Sequence, residues 1–205
     1  QWGVDDHLGI DITDRLFEEH KRRLSGYRFE KLDVTTTPIG GRYGLILMMG
    51  NTEAPFNYPA NTYHYRQDSN FLYYFGLDMP NLAGLIDIDA NKDYIFGDDV
   101  DLDDIIWMGP QPKMSELAEK VGVKNTEPLK NLFDMIKKAK SDQREIHFAP
   151  PYRGETYIEL SDLLGIPVSE ISNNVSEKLI ISIVKQRSVK DELEIREIEK
   201  AVDIA

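Results

Sequence analysis

Apolar residues in this chain fall into two patterns, short continuous runs and helically spaced stripes. Tyr43–Met49 (YGLILMM) is a nearly unbroken run closed by Gly50-Asn51. That pattern predicts a central strand covered on both faces, of the kind found in a largely parallel sheet. Leu82–Ile88 and Asp93–Phe96 flank the turn-forming Asp89-Ala90-Asn91-Lys92, so they read as a β-hairpin. Arg144–Ala149 is a further strand, stopped by Pro150-Pro151 because proline has no amide to give a ladder.

Between the runs lie stripes at helical spacing. Leu16, Phe17, His20 and Leu24 follow Thr13 and Asp14, which predicts a first helix over about Arg15–Leu24. Residues 25–42 lose this periodicity and read as loop. Further helices are expected over Ser115–Val121, Leu129–Lys140 with Leu129, Leu132, Phe133 and Ile136 on one face, Glu155–Leu164, and Ser176–Lys185. Lys137, Lys138 and Lys140 stand in the last turn of the second of these, where the helix dipole favours cations. Strands alternating with helices imply an α/β domain, with a mixed sheet of about six strands flanked by helices. Residues 1–187 read as that domain, with 1–14 a candidate flexible lead. From Ser188 to Ala205 a charge-rich helix opens on Ser188-Val189-Lys190-Asp191 and carries Leu193, Ile195, Ile198 and Val202. It reads as a linker toward a further domain, and the chain as a piece of a longer protein.

Composition narrows the partners. The 205 residues include 36 acidic and 24 basic side chains, a formal net charge of -12. Such a surface repels phosphate backbones and anionic lipid headgroups, so neither nucleic acid nor membrane is an expected partner. The absence of cysteine removes disulfides, thiolate metal sites and cysteine nucleophiles, and suits a cytoplasmic protein. Asn174-Val175-Ser176 fits a glycosylation triplet, which without a secretory signal reads as chance.

The candidate chemistry is sparse. Asp98, Asp99, Asp101, Asp103 and Asp104 invite a calcium reading, but a loop starting at Asp99 puts Asp104 where glycine is needed and Pro110 where a bidentate glutamate belongs. A solvated acidic loop before a strand is the expected alternative. His7, His20, His64 and His147 lack partners at a zinc-binding spacing, and His147 reads as a structural or surface histidine in its strand. No nucleophile elbow, Walker loop or dinucleotide fingerprint is present. No catalytic or metal-binding residue is therefore assigned.

One segment is different in kind. Arg66-Gln67-Asp68-Ser69-Asn70-Phe71-Leu72-Tyr73-Tyr74-Phe75-Gly76 sets a potential Arg–Asp pair beside polar side chains suited to binding turn backbone, then a dense aromatic stretch ended by glycine. On the residues alone, Arg66 and Asp68 brace a turn and the aromatics form core, and Arg66, Gln67, Asp68 and Ser69 are structural residues of the motif, not catalytic ones. The segment resembles the R-Q-[DN]-S-[DN]-F-x-Y-x-x-G signature of the N-terminal domain of X-Pro aminopeptidases (aminopeptidase P), in the creatinase and prolidase superfamily. It departs at Phe75, where that family usually has a small threonine or serine. Arg187, Lys190, Asp191, Glu192, Glu194, Ile195, Ile198 and Ala201 are similar to the R-x-x-K-[SD]-x-x-E-[IL] linker helix of the same family. Ile106-Trp107-Met108-Gly109 is similar to its strand-and-tryptophan element.

The resemblance implies a ribonuclease-H-like fold and a non-catalytic domain that serves oligomer contacts and substrate access. It also implies that a later domain of the same protein holds two divalent ions, commonly manganese, and attacks the bond before proline in peptides with proline second. Trp107 is the implied substrate or subunit contact, though a plain core role stays open. The same fold also occurs in binding modules without peptidase activity and in prolidases, so those readings remain alternatives.

Overall fold

A computed structural model describes residues 44–101, 105–106 and 109–204. The helix expected over Arg15–Leu24, Tyr43 at the head of the first strand, and Trp107 lie outside the described residues.

Strand β1 (Gly44–Met49) occupies an inner position of a five-stranded sheet and is followed by a separate hairpin, β2 (Pro55–Tyr58) and β3 (Asn61–Thr62). Helix α1 (Ser69–Phe75), β4 (Ala83–Asp87) and β5 (Lys92–Phe96) come next, then α2 (Met114–Lys120), β6 (Asn125–Glu127), α3 (Lys130–Ser141) and β7 (Glu145–Phe148). Helix α4 (Gly154–Leu164), a 3₁₀ segment (Val168–Asn174), α5 (Glu177–Ser188) and α6 (Glu192–Ile204) complete the chain. The sheet order is β6-β5-β4-β1-β7.

All four strands expected from the sequence are strands, and among the described residues the sheet has five members where about six were expected. Its fifth, β6, is too short to carry an apolar pattern. The sheet is mixed, as expected: β1 runs antiparallel to β4 and parallel to β7, and β4–β5 is the expected antiparallel hairpin.

The continuous run in β1 is explained by burial on both faces. Ile46 and Met48 point into one core, Leu45 and Leu47 into the other, as the two-residue period of a strand requires. Phe71, Tyr74 and Phe75 of α1, Met114 and Ala118 of α2, and Leu179 and Ile183 of α5 cover the first face. Leu132, Ile136 and Ala139 of α3, Leu160 and Leu164 of α4, and Ile171 cover the second. Each large side chain so buried contributes roughly 1.5–3 kcal/mol. Phe133 does not join its expected stripe and stays 49% exposed, because α3 turns Leu132, Ile136 and Ala139 inward instead.

Two polar features fasten the sheet's other end. Arg144 Nη2 and Nη1 donate to the two carboxylate oxygens of Asp87 at 2.5 and 3.0 Å, and Nη2 also donates to the Gly44 carbonyl at 3.1 Å. Burial would raise the Asp87 carboxyl, but the bonds from Arg144 and from the Ala90 amide outweigh it and hold the group below its usual range. His147 is buried, with Nδ1 2.9 Å from the Ser176 hydroxyl and Nε2 3.4 Å from Glu145. Burial pushes its pKa down against the pull of Glu145, so it sits as a neutral clasp between β7 and the start of α5. It is structural, one of the two roles expected of it.

The acidic stretch has a structural use as well. Asp99 accepts from the Met114 amide at 2.6 Å and Asp98 from the Leu129 amide at 3.2 Å, tying the loop to the entries of α2 and α3. The segment after it is not the expected strand: Ile105 and Ile106 are helical.

Candidate functional site

The carboxyl ends of the parallel strands β1 and β7 open onto a small cavity of about 40 Å³. This is the end of an α/β sheet where ligand crevices tend to form. Side chains from β1, Phe148 and α5 line its apolar part, and Asn51, Asp68, Asn70, Tyr152 and Thr156 give it a polar rim.

Gln67 organises this corner. Its side-chain oxygen accepts from the amides of Asn51 (2.7 Å) and Asp68 (2.9 Å), and its nitrogen donates to the carbonyls of Leu77 (3.2 Å) and Met79 (2.8 Å). A primary amide offers two acceptor lone pairs and two donors, so this buried side chain is fully used. The next residue, Asp68, caps α1 by accepting from the Asn70 and Phe71 amides, each at 2.9 Å. Gly76 ends the same helix in the left-handed conformation at φ 70, which residues with a Cβ adopt at a cost.

The Arg66–Asp68 pair that the sequence suggested is not formed. Among the ion pairs between described residues none joins them, Arg66 is exposed, and the Asp68 carboxylate serves the helix. Ser69 is exposed as the first residue of α1. Gln67 and Asp68 bind the backbone of this turn through their side chains, while Arg66 contributes its carbonyl, which accepts from Asn51 Nδ2 at 2.8 Å.

Asn51, which the sequence offered only as a turn residue, is the second hub. Its Nδ2 also donates to the Tyr152 hydroxyl at 2.9 Å, and Arg153 donates to the Thr52 carbonyl at 2.8 Å. The loops after β1 and β7 are thus joined.

A third set of contacts ties the Arg66–Gly76 segment to α5. Arg187 Nη1 donates to Asn70 Oδ1 at 2.7 Å while its guanidinium lies 5.0 Å over the Tyr73 ring. The Tyr74 hydroxyl donates to Gln186 Oε1 at 2.8 Å. Burial, then Tyr73, raises the Tyr74 pKa, which keeps that donor protonated. Immediately beyond, Asp191 caps α6 through the Leu193 and Glu194 amides, and Glu194 accepts in return from the Asp191 amide at 3.0 Å. Helix α6 has no buried residue and carries Ile195, Ile198 and Val202 exposed. Gln186 gave no sequence signal beyond standing next to Arg187.

Chemically the corner holds and shapes. Among the described residues Asp68 is the one carboxylate lining the cavity, and it is already committed to a helix cap. Among the described residues no group of three His, Cys, Asp or Glu side chains could hold a metal ion, so these residues do not fit a metal centre. Nor, among them, is any helix long and apolar enough to cross a membrane.

Two fungal proteins named "Probable Xaa-Pro aminopeptidase", from Ajellomyces dermatitidis and Blastomyces gilchristii, are each 26% identical to this chain over 164 residues. The match covers 79% of this chain but 31% of either relative, so the chain spans about a third of their length. Among solved structures, the fold is similar to aminopeptidase PepP of Pseudomonas aeruginosa (TM-score 0.54, 14% identity, 80% of this chain and 34% of that one). It is also similar to the low-pH form of aminopeptidase P from E. coli (TM-score 0.51, 16% identity, 73% and 32%). The model of the aminopeptidase P N-terminal domain matches residues 21–147, a span that takes in β1, the Gln67 corner and the strands up to β7. On that match, which extends over more than half of its length, the chain belongs to the aminopeptidase P N-terminal domain family.

Proposed function

We propose that this chain is the non-catalytic N-terminal domain of a metal-dependent X-Pro aminopeptidase, which removes the residue preceding proline from peptides. Residues 1–187 form the domain and 188–205 the linker to a catalytic domain of the same protein. The observation that carries this reading is the joint between α1 and α5. The two segments that resemble family motifs, one around Arg66 and one from Arg187, meet through Arg187–Asn70 and Tyr74–Gln186, just where α6 leaves the core. A domain built to hold a departing helix at a set place suits a role in positioning a catalytic domain attached to that helix. Metal ligands and hydroxide-generating chemistry belong, on this reading, to the later domain, with two divalent ions and manganese the expected pair. The working protein is a cytoplasmic homo-oligomer, and Trp107 is a contact to substrate or to a neighbouring subunit.

The test compares the 205-residue chain with the longer protein that continues beyond Ala205. Manganese-dependent release of the first residue from a peptide with proline second is expected from the longer protein and not from the chain. Release by the chain alone would overturn the non-catalytic reading. A longer protein that stays inactive when loaded with metal would favour a binding module. Within the same longer protein, Trp107→Ala is expected to weaken oligomerisation or raise KM for longer peptides while leaving the melting temperature of the isolated domain nearly unchanged. A loss of the ~3–5 kcal/mol typical of an emptied core would instead assign Trp107 to packing.

A further inference from the structure

His147 and Ser176 meet where the sheet hands over to α5. The Ser176 hydroxyl caps that helix by accepting from the Leu179 amide at 3.2 Å, and the Ser176 amide donates to the Phe148 carbonyl at 3.0 Å. The same hydroxyl lies 2.9 Å from His147 Nδ1, and the Glu145 carboxylate lies 3.4 Å from Nε2. A carboxylate needs a donor, so the hydrogen of the neutral ring sits on Nε2 and Nδ1 is bare. The Ser176 hydroxyl then donates to Nδ1, which leaves its lone pairs for the helix. Ring and cap form one relay, from Glu145 through His147 and Ser176 to the Leu179 amide.

A second proton on the ring breaks that arrangement. It goes on Nδ1, facing the hydroxyl hydrogen, so the hydroxyl must turn away and the imidazolium competes with Leu179 for its oxygen. The cation also stands at the first turn of α5, where the positive end of the helix dipole opposes it. From β7 the ring faces Glu145, and from α5 it faces Lys178, with exposed Glu177 beside it. The residues of β1 next to the ring, Gly44 and Ile46, do not ionise. Glu145 favours the cation, but burial and Lys178 oppose it, and burial is the larger effect.

The helix so capped carries a second fastening at its other end. Leu179 and Ile183 are buried along it, and in its last turn Gln186 binds Tyr74 while Arg187 binds Asn70. We propose that the His147–Ser176 pair is an acid-operated latch on α5: protonation of the ring frees the first turn of the helix from β7 and loosens the joint that its last turn makes with α1. The latch goes beyond the aminopeptidase reading and does not depend on what an attached domain does.

Hydrogen exchange of the 205-residue chain, followed by NMR from pH 7.5 to 5.5, tests it. An opened helix lets the imidazole bind a proton that the closed one refuses, so opening becomes easier as the pH falls below about 6.5. The protection factors of Leu179 and Ile180 should fall about fivefold more than those of Leu132 and Ile136 in α3, and Gln186 and Arg187 should follow them. His147→Gln, which takes up no proton, should lose that extra fall. Ser176→Ala removes the donor that favours the neutral ring, so the titration of His147, read from its ring proton shift, should move up toward the ordinary histidine value, and Ser176→Thr should bring it back. The two Ser176 variants answer the question even if His147→Gln does not fold. Protection at Leu179 that stays level with α3, an extra fall that survives His147→Gln, or a His147 titration indifferent to Ser176→Ala would overturn the latch. A fall at Leu179 that Gln186 and Arg187 do not share would overturn its reach to the joint.

Discussion

Gly84→Ala is expected to destabilise the domain by about 3 kcal/mol, the upper part of the range for overpacking a filled core. A Cβ at Gly84 would lie 2.1 Å from Cε2 and 2.4 Å from Cζ of Phe75, whose ring is fully buried and has no room to retreat. The clash is the counterpart of the departure at Phe75 in the signature. With a threonine or serine at position 75 the space above β4 would be free; with phenylalanine the ring lies on the strand, and only a residue without a side chain fits beneath it. Urea denaturation should show the midpoint falling at an unchanged slope. The double-mutant cycle is the sharper measurement. Phe75→Ala alone should cost about 3–5 kcal/mol for the emptied site, but Gly84→Ala added to it should cost little or restore some stability, because its methyl group enters the space the ring vacated. Simple additivity of the two changes would show that they do not share that space.

This pairing was legible only from one side. The sequence marked Phe75 as unusual, but Gly84 lies nine residues on, inside an apolar run, and nothing local connects them. The main strands were legible because burial on both faces of β1 and a turn between β4 and β5 leave marks within a few residues. Helix α1 was not, since seven residues with four aromatics read equally well as any buried element, and its cap at Asp68 and stop at Gly76 become signals only once a helix is assumed. β6 and the β2–β3 hairpin were missed for a related reason: three, four and two residues are too few for a period to show.

The candidate site follows the same division. Arg66, Gln67, Asp68 and Ser69 were singled out together, yet the structure gives them unequal work. A pair two residues apart, Arg66 and Asp68, looked plausible because opposite charges stood close in sequence. Asp68 turned instead to two amides of the helix it starts, which charge patterning does not reveal. Beyond these local bonds, the contacts that give the corner its shape join residues from 10 to 117 positions apart, such as Gln67 with Leu77 and Asn70 with Arg187. Partners at such separations are set by the sheet order, so they became visible only with the fold.

Gln67→Ala should be the more damaging polar change, with an expected loss of about 3–5 kcal/mol. Each buried polar group left without a partner costs roughly 1–3 kcal/mol, and this substitution strands four, the amides of Asn51 and Asp68 and the carbonyls of Leu77 and Met79. Water entering the vacated space recovers part of the sum, which is why the expectation is below the full total. Gln67→Glu separates hydrogen bonding from packing, because it keeps the shape and the accepting oxygen but replaces the donor with a group that is anionic when ionised. That group would face two carbonyl oxygens, so its folded pKa must rise above the ordinary glutamate value. A raised folded pKa adds stability that is present below the unfolded pKa and is lost as the pH climbs through the folded one. The gap in stability between Gln67→Glu and the unsubstituted chain should therefore be small near pH 4 and widen toward pH 8, whereas the gap for Gln67→Ala should stay level. Thermal melts of the three proteins across that range would read both trends. A Glu variant whose deficit does not grow with pH would mean that the nitrogen of Gln67 is not what holds the Leu77 and Met79 carbonyls.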